Sequence, residues 1–206
     1  MRWIGIVLIV TSAVFGGATL SVGKSATESR IQVIDKIDPS LVTGDIIFRT
    51  GTGFWSPYFA TLDDKNGYSH AGMLLKSSSG SWFVVHAEAN DDGTDGVVKK
   101  TQLHEFVAGS KKFEIKQNNM SPAKKKTFVA SVLKHLAQQT PFDNFFDIND
   151  VGTKVYCTEL IWLSAKVAGV YDFGSVVKIG GRDFITVDTI YHSPYLQGSA
   201  GRLAGG

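Results

Sequence analysis

Hydrophobic residues recur at helical spacing after Ser121 and predict the clearest helix of the chain. Ser121 is a favoured N-cap residue, and Pro122 suits the first turn of a helix. Thr140 and Pro141 would end the helix, because a residue before proline avoids helical backbone angles. The predicted core face of this helix consists of Phe128, Val129, Val132, Leu133 and Leu136.

Short apolar runs bounded by turn residues predict a set of strands. They lie in residues 41–49, 68–75, 82–89, 97–100 and 113–116. Only the turn at 77–80 separates the second run from the third, so these two predict an antiparallel hairpin. A small helix is expected around residues 103–107. We therefore predict an α+β fold, in which an antiparallel sheet packs against helices.

A second amphipathic helix begins at Cys157, the only cysteine in the sequence. Val155 and Tyr156 form an extended approach to it, and its apolar face contains Leu160, Ile161, Leu163 and Val167. A thiol at a helix N-terminus lies near the partial positive charge of unpaired N–H groups, which favours the reactive thiolate. The alternative is an inert buried cysteine, which is the common fate of free thiols. A base nearby would favour catalysis.

The candidate base is His70, which opens an otherwise apolar strand. Glu88 lies on the next strand in an apolar setting, where a carboxylate needs a partner, and it could accept the ring N–H of His70. An edge position facing water is the alternative for Glu88. His86 shares a face with Glu88 and is either an alternative base or a residue that lines the site. The remaining histidines are expected in structural or solvated positions: His104, His135 and His192.

Aromatic residues suggest a pocket beside these groups. The candidate substrate-binding residues are Tyr68, Tyr156, Trp55, Phe54 and His86. Phe54 and Trp55 belong, with Tyr58 and Phe59, to a Gly-rich aromatic stretch that could line a pocket together with Phe142, Phe145 and Phe146, although core packing explains such residues about as well.

The composition and the spacing of possible metal ligands argue against several other classes of protein. A net charge of +2 is too small to indicate a nucleic-acid partner, and 43% hydrophobic residues with 19% charged residues are typical of a globular chain. Metal-ligand spacings of the H-x-x-x-H or C-x-x-C kind are absent. Residues 147–152 begin like a calcium loop, but Val151 and Thr158 stand where ligands are needed. We therefore expect neither a metal nor a cofactor.

The N-terminal 24 residues predict export. Arg2 precedes an uncharged run at residues 3–20, which is the order of a signal peptide but is also just long enough for a membrane anchor. We expect a periplasmic or otherwise extracytoplasmic protein, associated with the membrane if the segment is kept. Residues 25–40 are expected to be a linker and residues 197–206 a flexible tail. No pattern indicates an oligomeric state.

The motifs together resemble the circularly permuted branch of the NlpC-type papain-like cysteine hydrolases, the YiiX/YebB-like group. The similar segments, within a domain expected at residues 41–196, are TGDIIF at 43–48, YSHAGM at 68–73, HAEA at 86–89 and VYCTELI at 155–161. Thr158 stands where the family usually has serine. Val187 and Thr189 depart from its closing element.

The resemblance implies a thiol hydrolase with Cys157 as nucleophile, His70 as base and Glu88 as the orienting group. Cys157 would attack a carbonyl and form a thioacyl enzyme, which water then hydrolyses. The expected substrate is an amide, such as a cell-wall peptide. Because relatives include lecithin:retinol acyltransferase-like enzymes, a lipid acyl hydrolase or acyltransferase is the alternative, and a non-catalytic binding domain of the same fold is a third.

Overall fold

A computed structural model describes residues 40–51, 53–62, 67–150 and 152–203. The predicted leader at residues 1–24 and nearly all of the predicted linker lie outside the described residues. Within these described ranges, no helix is long and apolar enough to cross a membrane.

A six-stranded antiparallel sheet forms the centre of the molecule. Its spatial order is β4-β3-β2-β1-β5-β8, so β4 and β8 are the edge strands. The strands of this sheet are β1 Ile46–Arg49, β2 His70–Lys76, β3 Trp82–Glu88, β4 Val97–Gln102, β5 Phe113–Asn118 and β8 Leu196–Leu203. A separate hairpin consists of β6 Val176–Ile179 and β7 Arg182–Ile185.

Helices cover both faces of the large sheet. They are α1 Ser56–Thr61, α2 Leu103–Val107, α3 Pro122–Ala137, α4 Cys157–Val167 and α5 Val187–Tyr191. Side chains alternate along each strand, so Ile46 and Phe48 pack in the core that includes residues of α3 and α4, whereas Ile47 packs in the second core with residues of α2. The α+β fold predicted from the sequence is confirmed.

The predicted hairpin is also present. Strands β2 and β3 pair antiparallel, with Met73 opposite Val85 and Leu74 opposite Val84. Because neighbouring strands run in opposite directions, the end of β1, the start of β2, the end of β3 and the start of β4 meet at one end of the sheet. Arg49, His70, Glu88 and Lys99 stand there.

Gly72, in the middle of β2, allows its neighbour strand to come unusually close. A Cβ atom at this position would lie 2.4 Å from Cγ1 of Val84, 3.1 Å from the carbonyl oxygen of Val85 and 3.2 Å from Cβ of His86. Any side chain on Gly72 would therefore displace part of β3. The missing side chain leaves the space that Cγ1 of Val84 occupies, with Cβ of His86 close beside it.

The segment predicted as a flexible tail differs from the prediction over most of its length. Leu196–Leu203 forms β8, which pairs antiparallel with β5 and closes that edge of the sheet. Strand pairing uses backbone N–H and C=O groups, which the small residues of this segment supply as well as any others. The Gly-rich composition indicated a loose end because it carries no alternating apolar pattern.

Candidate active site

The start of α4 is held in place from both sides of Cys157. Tyr156 precedes the helix in an extended conformation and is completely buried. Its hydroxyl oxygen accepts a hydrogen bond from the backbone N–H of Ile185 at 2.8 Å, and its own backbone N–H donates to Glu159 at 3.4 Å. This capping arrangement fixes Cys157 as the first residue of the helix, with 3% of its surface exposed.

His70 faces the same cleft as Cys157. It is the first residue of β2, and α4 packs against this strand. The two side chains line a single cleft of about 360 Å³. The structure therefore brings together the nucleophile and the base that the sequence predicted.

The imidazole ring of His70 is held by His86. Nε2 of His70 lies 2.9 Å from Nδ1 of His86, and the two rings are nearly perpendicular at 87°. The predicted hydrogen bond from His70 to Glu88 is not formed, because the nearest atoms of these residues are 4.0 Å apart. His86 therefore occupies the orienting position that the sequence analysis gave to Glu88. Nδ1 is the ring nitrogen of His70 that remains for the thiol.

Glu88 instead forms salt bridges with two cationic side chains at the end of the sheet. Its two carboxylate oxygens lie 2.6 Å from Arg49 Nη2 and 2.9 Å from Lys99 Nζ. Arg49 is itself buried, packs over the Phe106 ring and donates to the Phe106 carbonyl oxygen. Burial alone would raise the pKa of Glu88, but the neighbouring histidines, Arg49 and Lys99 lower it to about 2. Glu88 is therefore a carboxylate throughout the physiological range.

Burial keeps both reacting groups neutral. It raises the pKa of Cys157 to about 11, although the N–H groups of Ala71 and Thr158 act in the opposite direction. Burial together with the charge of Arg49 lowers the pKa of His70 to about 3. At pH 7 the site therefore holds a thiol and a neutral imidazole. The helix N-terminus was expected to favour the thiolate, but the loss of solvent outweighs it.

Two of the five predicted substrate-binding residues line the cleft. Phe54 and Trp55 form one wall, and the Trp55 ring donates from Nε1 to the Gly93 carbonyl oxygen at 3.2 Å. Phe59 and Phe142 also line the cleft. Both belong to the aromatic stretches that the sequence suggested as a pocket lining.

The other three predicted substrate-binding residues are buried and do not line the cleft. Tyr68 has 2% of its surface exposed and donates to Glu114 at 3.0 Å. Tyr156 is inside the core, and His86 lies behind His70 with 1% exposed. Proximity in sequence to the motifs suggested a contact with substrate, but strand alternation and the helix start turn these side chains inward.

One group of side chains has the composition of a metal site. His70, His86 and Glu88 each place a ligand atom within 4.8 Å of the others, which sequence spacing could not reveal because the residues come from two strands. The arrangement does not suit a cation, however. The two ring nitrogens are hydrogen-bonded to each other, and Arg49 and Lys99 already provide two positive charges to Glu88.

A thiol at a helix start, facing a histidine on a strand that precedes it in the chain, defines a papain-like cysteine hydrolase of permuted order. The chain belongs to the family of permuted papain-like amidases described as YaeF/YiiX, C92 family, whose sequence model matches residues 40–184. It is thus a hydrolase of amide bonds by family. The predicted resemblance is confirmed.

A solved structure has the same fold. The crystal structure of the metalloprotein yiiX from Escherichia coli O157:H7 is similar with a TM-score of 0.60 and 20% sequence identity. The similarity covers 80% of this chain and 97% of the other. No curated protein matches the chain in sequence.

Proposed function

We propose that this protein is a cell-envelope cysteine hydrolase that cleaves an amide bond, with a cell-wall peptide as the expected substrate. Cys157 is the nucleophile, His70 the general base and His86 the orienting residue. One observation carries the proposal. Cys157 and His70 line the same cleft, and the far nitrogen of His70 is hydrogen-bonded to a buried partner.

The proposed first step transfers a proton as the new bond forms. Nδ1 of His70 takes the thiol proton while the sulfur attacks the carbonyl carbon, because neither group is ionised beforehand. The backbone N–H of Cys157 is placed to donate to the developing oxyanion. His70 then protonates the leaving amine. Water, deprotonated by the same ring, hydrolyses the thioacyl enzyme and restores the thiol.

A second candidate, an acyl hydrolase acting on lipids, rests on the aromatic walls of the cleft. Phe54, Trp55, Phe59 and Phe142 would suit an acyl chain as well as an apolar peptide side chain. The same chemistry at Cys157 would then cleave an ester or a thioester. The proposed location in the envelope rests on the leader at residues 1–24 and does not distinguish the two substrates.

The test compares the wild type with Cys157→Ala and His70→Ala on peptidoglycan fragments and on phospholipid extracts. We expect wild-type activity on the peptides and a loss of at least about 1,000-fold in either variant, since the two residues act as a unit. His192→Ala is the matched control, because this exposed histidine pairs with Asp188, packs against the Tyr191 ring and does not line the cleft. A chelator should leave the activity unchanged.

Each possible result of this test distinguishes between the candidate functions. Release of fatty acid, with no cleavage of peptide, would favour the lipid hydrolase. Activity that survives Cys157→Ala would contradict the mechanism for either substrate. A wild-type protein inactive on both substrates, while it binds one of them, would favour the non-catalytic alternative.

A further inference from the structure

The hydrogen-bonded chain that begins at His70 continues past His86. Nε2 of His86 lies 2.9 Å from Oγ1 of Thr101, so both nitrogens of this buried ring have a partner. Thr101 stands on β4, the edge strand, and is half-buried. The chain therefore runs from the His70 ring, which lines the cleft together with Cys157, through the His86 ring to a hydroxyl at the rim of the sheet.

Two neutral imidazole rings can be hydrogen-bonded in two orders, which differ in which atom of each hydrogen bond is the donor. In the first order, His86 Nε2–H donates to Thr101 and His70 Nε2–H donates to His86 Nδ1. Nδ1 of His70 then carries a lone pair and can accept the thiol proton. In the second order every donor is reversed, so Nδ1 of His70 carries a hydrogen and cannot act as a base. Only the first order supports catalysis.

We propose that Thr101 is a positioning residue, whose hydroxyl oxygen accepts from Nε2–H of His86 and thereby keeps Nδ1 of His70 unprotonated towards Cys157. This inference rests on the proposed function. It goes beyond it by naming a residue that touches neither the substrate nor the thiol. Thr101 acts through two rings, and the proton that His70 takes from sulfur returns to the leaving group without passing along the chain.

The environment of Thr101 favours this order. Both rings are buried and burial keeps their pKa values well below the usual range, so each ring has a single N–H whose position must be fixed. The half-buried hydroxyl can donate its own hydrogen to solvent and so present its lone pairs to His86. A buried N–H left without an acceptor is unfavourable enough to choose between tautomers.

The experiment reads the tautomers directly by nitrogen-15 NMR of histidine-labelled protein. Signals are assigned with His70→Gln and His86→Gln variants. In the wild type we expect hydrogen on Nε2 and none on Nδ1 for both rings. In Thr101→Val, which keeps the shape and favours a strand, we expect both rings to change to the Nδ1–H tautomer. The turnover number should fall at least 10-fold, with little change in KM.

Two further variants control for structural effects. Thr101→Ser keeps the hydroxyl and should retain wild-type tautomers and a turnover number within 3-fold of the wild type. Thr140→Val removes a hydroxyl from another histidine, His135, whose Nδ1 lies 3.0 Å from Thr140 Oγ1. This variant should leave the tautomers of His70 and His86 unchanged.

The outcomes distinguish this proposal from the proposed function. Wild-type tautomers in Thr101→Val would overturn the role of Thr101, whether or not the protein hydrolyses the chosen substrates. An equal loss of turnover in Thr101→Val and Thr101→Ser would also overturn it. A protein that shows the expected change of tautomer but hydrolyses no substrate supports the hydrogen-bond order and contradicts only the proposed function.

Discussion

At the scale of single residues, the thiol of Cys157 and the imidazole of His70 are both neutral at pH 7 because each is buried. Many cysteine hydrolases hold a preformed thiolate beside an imidazolium, which charges the site before substrate arrives. Here the pKa of the thiol is about 11 and that of the ring about 3. In the proposed mechanism the thiol therefore transfers its proton to the ring only as the sulfur attacks the carbonyl carbon. In that mechanism Cys157 depends on His70 as its base in every turnover.

The rate at which iodoacetamide alkylates Cys157 should follow this ionisation. Because the thiolate is the reactive species, the rate should rise tenfold per pH unit across the neutral range and level off only near pH 11. The measurement is the second-order rate of labelling, followed by mass spectrometry at several pH values. A rate that is constant between about pH 5 and pH 8, as a preformed ion pair with a low thiol pKa gives, would contradict the neutral pair.

The sequence indicated some residues of the candidate site but not how they contact one another, and the reason is physical. Cys157 and His70 were found because a lone thiol at a helix start and a histidine in an apolar strand are unusual in themselves. Strand alternation also placed His86 and Glu88 on one face. Which of these two would reach His70 could not be predicted, because Arg49 and Lys99, from other strands, draw Glu88 away.

At the scale of elements, the close approach of β2 and β3 controls the geometry of the site. Gly72 lets β3 pack closely enough that Cβ of His86 lies beside it, and the His86 ring contacts His70. The sequence suggested a close backbone approach near Gly72 but could not show which strand would take up the space. That information depends on the register of the hairpin, which the turn and the packing of both cores determine together.

Gly72→Ala should therefore be costly. The added Cβ would overlap Val84 and crowd His86, and overpacking of this kind costs about 1–3 kcal/mol. We expect the free energy of unfolding in urea to fall by this amount, and any hydrolytic activity to fall further as His86 moves. Gly53→Ala is the control for stability, since no atom lies within 4 Å of its added Cβ. Equal stabilities of the two variants would show that β3 adjusts freely.

At the scale of the whole molecule, three buried groups give opposite dependences of stability on pH. The pKa values of His70 and His86 are lowered on folding, so the unfolded chain binds more protons and stability falls as the pH drops below 6.5. Burial raises the pKa of Glu159 from 4.5 to about 9, so the folded chain binds more protons and stability falls as the pH rises through this range. Below pH 6.5 the two histidines change the free energy of unfolding more steeply with pH than the single Glu159 carboxyl does.

We therefore expect the free energy of unfolding to pass through a maximum near pH 6.5. Glu159→Gln keeps the side chain that caps the helix but cannot ionise, so its stability should fall less steeply above the maximum, by up to about 1.4 kcal/mol per pH unit. Urea unfolding of both proteins at about pH 5, 6.5 and 8 measures the difference. If the free energies of unfolding of the two proteins fall in parallel above the maximum, Glu159 stays ionised in the folded protein.

The order of the sheet was the least predictable feature of the molecule. The β2–β3 hairpin and the helices α3 and α4 have local signals in the sequence and were predicted, whereas the β6–β7 hairpin and helix α5 were not. The pairing of β1 with β5 and of β5 with β8 joins segments distant in the chain, and no local pattern encodes it. The β8 segment was missed for this reason, since its Gly-rich sequence shows no alternation of apolar and polar residues.

The burial of Cys157 also has a consequence for the lifetime of the protein in the presence of oxidants. Peroxides convert thiolates to sulfenic and then to irreversibly oxidised acids, and the reaction requires both ionisation and access. A side chain that is 3% exposed and almost wholly protonated at pH 7 meets neither condition. The chain has no second cysteine to rescue an oxidised one through a disulfide. The small fraction of thiolate at neutral pH should thus protect the proposed nucleophile from oxidation between substrates.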